Sequence, residues 1–192
     1  YDDINIVIGS LHMNFTYIYA KNLFSKEKIK DLNLKIEKNF ILGEDSPASD
    51  STKTSEVKFL KLGPIEEFIS PFLQFCYKAN TTYYGFDLYK LTPDKILNYN
   101  IYEIGKEYGW HIDATQGLTS DDIKLTCLLN CSEVNYLGGN LSLFTNGERK
   151  CEEFNTPGSA LIFPSFINHK VDKLLSGKRS TLAIWMYGPR LK

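Results

Sequence analysis

Tyr102-Glu103-Ile104-Gly105-Lys106-Glu107-Tyr108-Gly109-Trp110-His111-Ile112-Asp113 is the stretch on which the reading of this chain turns. Its end sets a histidine and an aspartate two residues apart. On a β-strand such residues face the same way, so His111 and Asp113 present an imidazole and a carboxylate to one point. The surrounding sequence is strand-rich. Runs of β-branched, aromatic and aliphatic residues occupy 86–90, 96–104, 122–131, 141–144, 159–163, 170–174 and 180–187. Turn signals separate them: Gly138-Gly139, Asn146-Gly147, Pro157-Gly158 and Ser176-Gly177. Many short strands at regular spacing predict a sandwich or jelly roll with helices packed outside. No Gly-rich phosphate loop follows a strand, which argues against a nucleotide fold.

Before residue 83 the pattern is mixed. Ser25 reads as a helix N-cap, with Phe24 and Ile29 spaced as a hydrophobic staple. Ile29, Leu32, Ile36 and Phe40 recur at helical spacing and predict a helix over 26–39. The polar segment 43–55 (GEDSPASDSTKTS) reads as a mobile surface loop, either a lid over a substrate or an idle insertion. Pro64 opens a second helix reaching Ala79, with Glu66 and Glu67 in its first turn and a kink or break at Pro71.

Composition narrows the class. Lys+Arg 22 against Asp+Glu 23 leaves a net charge of -1, so no global field draws the chain to nucleic acid or an anionic membrane. No apolar run approaches the ~18 residues of a membrane span. The opening residues, with Asp2 and Asp3 and no basic cluster, do not read as a signal peptide. Cys76, Cys127, Cys131 and Cys151 form no C-x-x-C pair and sit beside no histidine at zinc spacing. They read as buried small hydrophobes of a reducing, cytoplasmic protein.

Histidines are scarce: His12, His111 and His169. Phe163-Pro164-Ser165-Phe166-Ile167-Asn168-His169 sets the last of them just after a hydrophobic strand. Two histidines and a carboxylate on one side of a metal, with other positions open, is the ligand set of non-haem Fe(II) oxygenases. H-x-D alone is weak, since His111 could equally be an ordinary surface or core histidine. Arg179 then opens a strand ten residues after His169, where its guanidinium fork could hold a carboxylate, and Thr181 shares its face. A surface salt bridge is the plainer reading of Arg179, and a core aromatic that of Tyr102.

Taken in order, these features resemble the Fe(II)/2-oxoglutarate-dependent dioxygenase superfamily, most closely its prolyl-4-hydroxylase-like branch. The stretch quoted above carries the resemblance. Leu125-Thr126-Cys127-Leu128-Leu129-Asn130, Tyr136-Leu137-Gly138-Gly139-Asn140-Leu141 and Gly158-Ser159-Ala160-Leu161-Ile162-Phe163-Pro164 continue it. His169-Lys170-Val171, Gly177-Lys178-Arg179 and Trp185 close it. It covers about residues 80–189, and the first 80 match only loosely.

The resemblance implies an α+β, mainly β chain with a double-stranded β-helix (jelly-roll, cupin-like) core. It implies one dioxygenase domain over 1–192: a helical support region and loop in 1–80, and a jelly-roll catalytic core in 81–192. His111, Asp113 and His169 would be the Fe(II) ligands. Arg179, Thr181 and Tyr102 would hold 2-oxoglutarate, and Tyr108 and Trp185 would face substrate, although Trp185 could equally be core. Ascorbate is a further cofactor this branch implies. The activity implied is hydroxylation of a peptidyl proline, coupled to O₂ and to decarboxylation of 2-oxoglutarate to succinate and CO₂. Partners would be O₂, 2-oxoglutarate and a proline-containing peptide or protein, with neither nucleic acid nor membrane. The same chemistry on a free amino acid or small molecule is the alternative, and a non-catalytic metal-binding jelly roll is the alternative of another class. Collagen-type enzymes usually carry Lys where this chain has Arg179, which weakens a collagen-like substrate. Asp113 disfavours a halogenase, which needs a small residue there.

Overall fold

Along residues 121–130, successive side chains go to opposite faces of one sheet, and both faces are covered. Leu125, Cys127 and Leu129 join a cluster with the helices, while Leu128 joins a second cluster between two sheets. A strand buried on both faces tends toward a continuous apolar run; here that run is Leu125–Leu129, interrupted by Thr126.

The structure is a computed structural model and describes residues 6–8, 16–41, 52–113 and 121–190. Its strands in chain order are β1 (Ile6–Ile8), β2 (Ile18–Ala20), β3 (Glu56–Lys61), β4 (Ile96–Tyr102), β5 (Tyr108–His111), β6 (Asp121–Asn130) and β7 (Leu137–Gly138). There follow β8 (Leu141–Phe144), β9 (Glu148–Lys150), β10 (Ala160–Pro164), β11 (His169–Val171), β12 (Leu174–Ser176) and β13 (Arg179–Pro189). Two helices, α1 (Lys26–Glu37) and α2 (Ser70–Ala79), complete the set with short helical turns.

Among the described residues, one sheet runs β1-β2-β10-β6-β13-β4-β3 and a smaller one runs β5-β11-β8-β9, with β12-β7 as a separate pair. The two larger sheets face each other. Leu128, Leu161, Phe163 and Ala183 of the large sheet pack with Leu141, Leu143 and Val171 of the small one. On the outer face of the large sheet, Ile29, Leu32 and Ile36 of α1 and Phe72, Phe75 and Ala79 of α2 bury Leu97, Leu182, Ile184 and Met186. This is the predicted jelly roll with helices outside.

The helices follow the expected chemistry. The Ser25 hydroxyl accepts the Lys28 N–H at 3.3 Å as the N-cap of α1, and Phe24 and Ile29 are both buried. The second helical stretch breaks as Pro71 requires. A short turn spans Gly63–Ile65, and α2 starts afresh with Pro71 in its first turn, where the missing N–H costs nothing.

Three expectations are corrected. Residues 86–90 form no strand. Asn80 instead clamps Phe86, accepting its N–H at 3.1 Å and donating to its carbonyl at 2.9 Å, and only Tyr89 bonds to β13. The run 170–174 is not one strand, because β11 ends at Val171 and β12 begins at Leu174. The first 80 residues are more than helical support, since β2 and β3 take places in the large sheet. Both are short or charged, so their alternation is faint in sequence. Of the loop expected over 43–55, residues 43–51 lie outside the described residues, as does His12.

Candidate metal and cosubstrate site

The site lies between the sheets. β5 ends at His111, and β11 begins at His169, its register partner. Asp113 follows β5, its N–H bonded to the Ser165 carbonyl at 3.1 Å. These pairings bring the ligand atoms of His111, Asp113 and His169 within 4.8 Å of one another. His111 Nε2 is 3.7 Å from Asp113 Oδ1, and His169 Nε2 is 3.5 Å from Asp113 Oδ2.

Both rings are held the same way. His111 Nδ1 lies 2.8 Å from the Gly109 carbonyl, and His169 Nδ1 lies 3.0 Å from the Ile167 carbonyl. A carbonyl only accepts, so each Nδ1 carries the proton and each Nε2 turns its lone pair toward Asp113. Burial holds the His169 imidazole below its usual range. Burial first, and then the neighbouring His169, push His111 down to about 4. Neutral imidazoles are the form a metal requires.

The far end of the same cavity is cationic. Along β13, Arg179, Thr181, Ala183 and Trp185 line it, as alternate residues of one strand should. Arg179 is 1% exposed, yet its Nε has no hydrogen-bond partner among the described residues, nor has the buried Thr181 Oγ1. A buried charge and hydroxyl left so are costly unless a ligand completes them. Tyr102 stands beside Arg179. Burial raises its phenol above the usual range, and the Arg179 charge opposes that rise. Gly139 makes room here: at φ +60 it takes a conformation side chains avoid, and a Cβ would come 3.0 Å from Arg179 Cδ.

All the residues expected at the site line one cavity: Tyr102, Tyr108, His111, Asp113, His169, Arg179, Thr181 and Trp185. Tyr108 stacks on His111 with ring centroids 3.5 Å apart. Trp185 reaches further than expected, donating from Nε1 to Asp113 Oδ2 at 2.9 Å. The sequence reading missed Lys53, Asn100, Thr126 and Ser165. Lys53 donates to Asn100 Oδ1 at 3.1 Å from a segment docked on β5, where the Gly109 N–H bonds to the Thr52 carbonyl at 3.0 Å. Gly109 permits that approach, because a Cβ would meet Thr52 Cβ at 2.9 Å. Nothing in a linear reading marks Lys53 or Thr126. A lysine in a polar loop and a threonine in an apolar strand are both ordinary.

Residues 97–187 match the model of the 2OG-Fe(II) oxygenase superfamily. The matched stretch contains His111, Asp113, His169 and Arg179, and over it the chain is similar to that superfamily. A PKHD-type hydroxylase of a Synechococcus species is 36% identical over 83 residues, which are 43% of this chain and 37% of that protein. The chain thus spans about two fifths of the length of the curated relatives it matches. A prolyl-4-hydroxylase of Pseudomonas putida superposes with a TM-score of 0.70 at 17% identity, covering 91% of this chain and 94% of that one. A prolyl hydroxylase of Trichoplax adhaerens, in complex with a peptide fragment of the hypoxia inducible factor oxygen degradation domain, gives 0.64 at 16% identity, covering 90% and 83%. At such identities the likeness carries the fold.

The superfamily's metal and cosubstrate fit the residues of this chain. Two neutral imidazoles and a carboxylate suit Fe(II). The unpartnered Arg179 Nε and Thr181 Oγ1 suit the distal carboxylate of 2-oxoglutarate. No helix among the described residues is long and apolar enough to cross a membrane.

Proposed function

We propose that this chain is an Fe(II)- and 2-oxoglutarate-dependent hydroxylase acting on a prolyl residue of a peptide or protein. The observation that carries the reading is the buried Arg179, its Nε without a partner among the described residues, in one cavity with His111, Asp113 and His169. The bound metal would supply O₂ activation, and 2-oxoglutarate would supply the electrons by decarboxylation to succinate. The residues of the chain bind and aim. His111, Asp113 and His169 hold the metal. Arg179 pairs with the distal carboxylate, and Thr181 and Tyr102 add hydroxyls. Charge bookkeeping supports the assignment: a divalent metal with one carboxylate is near +1, a dianionic cosubstrate takes it to -1, and Arg179 restores neutrality, which burial demands.

Tyr108 and Trp185 form the aromatic wall for the substrate, where a flat face suits a proline ring. Support for a peptide comes from the partly exposed Trp110, Ile112, Phe144 and Phe166, which flank the three ligand residues and their strands, and from the peptide bound by the Trichoplax relative. In this reading 1–192 works as one dioxygenase domain, with β2 and β3 completing the sheet that carries Arg179. The cytoplasmic placement belongs to the same proposal, supported by four buried free thiols. The test is incubation with Fe(II) and 2-oxoglutarate, then O₂, on proline-rich peptides and on free proline. A peptide gaining one oxygen in mass with matching succinate is expected. Oxygen gain in the free amino acid alone would replace the peptidyl reading with the small-molecule one.

A further inference from the structure

A groove of about 930 Å³ adjoins the ligand cavity and shares no lining residue with it. The ligand cavity encloses only about 50 Å³, too little for a length of polypeptide. The groove falls in the ~300–1,000 Å³ range of sites that bury a ligand. Three segments line it. Phe166-Ile167-Asn168 leads directly into His169, and the Ile167 carbonyl holds His169 Nδ1. The tip between β8 and β9 supplies Phe144 and Arg149, and the turn after α2 supplies Tyr84 and Phe86. These segments are fixed without a ligand. The Phe144 N–H donates to the Asn168 carbonyl at 2.8 Å, and the Tyr84 hydroxyl donates to the Ile162 carbonyl at 3.1 Å. Yet the groove keeps apolar surface in water: Phe144 is 55% and Phe166 60% exposed. The Phe144 ring meets Trp110 edge-on with centroids 5.9 Å apart, so aromatic surface continues to the residue before His111. Arg149 adds an exposed cation. Its Nε donates to the Tyr17 hydroxyl at 3.2 Å and its guanidinium carbon lies 5.3 Å from the Tyr17 ring centroid, which anchors the group. No carboxylate among the described residues pairs with it. Glu148 is taken by Lys170 and the Ser142 hydroxyl, each at 3.0 Å, and Glu153 accepts from Tyr17 at 3.4 Å.

We propose that this groove is a second binding surface for the polypeptide substrate and seats a segment outside the residue that reacts. A large apolar side chain of that segment packs against Phe144 and Phe166, and an acidic one pairs with Arg149. The inference rests on the polypeptide reading above and names what that polypeptide carries beyond its proline. Buried apolar anchors in well-packed pockets carry most of the energy at protein interfaces, and charge complementarity selects among partners. Continuity makes the substrate itself the occupant. The groove ends at Asn168, one residue before the ligand His169, so one extended chain at ~3.3 Å per residue bridges groove and cavity. A segment held in the groove also turns entry of the proline into an intramolecular event, which raises its effective concentration at the metal. A single proline ring offers the cavity little by which to tell one polypeptide from another, and the groove supplies that discrimination.

The probe is a set of fluorescent peptides with a central proline, each carrying one phenylalanine and one aspartate at varied positions on either flank. Counterparts carry serine and lysine at the same positions. Fluorescence anisotropy reads their binding to the whole chain with Fe(II) and 2-oxoglutarate and without O₂. In at least one register the phenylalanine–aspartate peptide should bind about tenfold tighter than its counterpart. Phe166→Ser should remove the phenylalanine advantage. Arg149→Glu should make lysine preferred over aspartate, a reversal that misfolding cannot produce. Wild-type preference in both variants would overturn the inference. So would wild-type protein that binds the two sets alike, or binds neither. A concentration-dependent dimer that Phe166→Ser abolishes would give the groove to a second copy and overturn it too. The underlying reading fails separately. Peptides that gain oxygen with no flank preference sink the inference alone, whereas oxygen gain in free proline only removes the polypeptide reading and the inference with it.

Discussion

Arg179 lies directly across from Tyr102 in the β13–β4 register, with its guanidinium carbon 5.0 Å from the Tyr102 ring centroid and 5.8 Å from that of Phe154. A charge packed between aromatic faces is held in place before any ligand arrives, and cation–π attraction offsets part of its desolvation. Preorganisation of this kind lowers the cost of binding a dianion.

Arg179→Ala should therefore weaken 2-oxoglutarate by about 2–5 kcal/mol, much of it from the carboxylate left unpaired. Metal content should stay at the wild-type level. Calorimetric titration on the metal-loaded protein measures the first and elemental analysis the second. An unchanged 2-oxoglutarate affinity would pass the role to Lys53, which also lines the cavity.

Gly139→Ala tests the room left for that arginine. The φ of +60 alone should cost roughly 1–2 kcal/mol of stability for a residue with a Cβ, and the new methyl meets Arg179 Cδ. The expected outcome is a lower melting temperature together with weaker 2-oxoglutarate binding and unaltered metal affinity. Wild-type 2-oxoglutarate affinity in a folded G139A would show that Arg179 has slack.

His111→Ala and His169→Ala should each lose stoichiometric Fe(II), because removing one imidazole leaves two ligands. Iron per chain, measured after desalting without O₂, reads this directly. Equal iron in both variants and the wild type would remove these residues from the metal site.

The metal-free protein should lose stability as pH falls from about 6.5 toward about 4. Burial depresses the folded-state pKa of His111 and His169 below the unfolded value. Between the two values the unfolded chain binds more protons, so lowering pH favours unfolding, and above the unfolded value the effect vanishes. Urea midpoints at pH 7.5, 6 and 5 should decline in that order, and His111→Asn should flatten the decline. A flat profile in the wild type would mean that neither imidazole is buried in solution.

The alternating strands, the turn signals and the capping of α1 were legible because each rests on contacts a few residues apart. So was the candidate site. H-x-D marks two groups for one point, although Asp113 lies just past β5 and its N–H bond to the Ser165 carbonyl completes the placement; Arg179, Thr181 and Trp185 alternate along one strand whatever it packs against. Sequence alone thus determined the mainly β class, the candidate ligand set and the face of β13 that carries the cation. Only the tertiary structure decided what surrounds those groups. That 86–90 is no strand depends on Asn80 clamping Phe86, and that β2 and β3 belong to the sheet depends on partners far along the chain. Thr126 and Ser165 meet at Asp113 because β6 pairs with both β10 and β13. The cost of Arg179 without a ligand exists only once folding has stripped its water away. Long-range pairing and desolvation are properties of the packed sheets, and no local pattern encodes them.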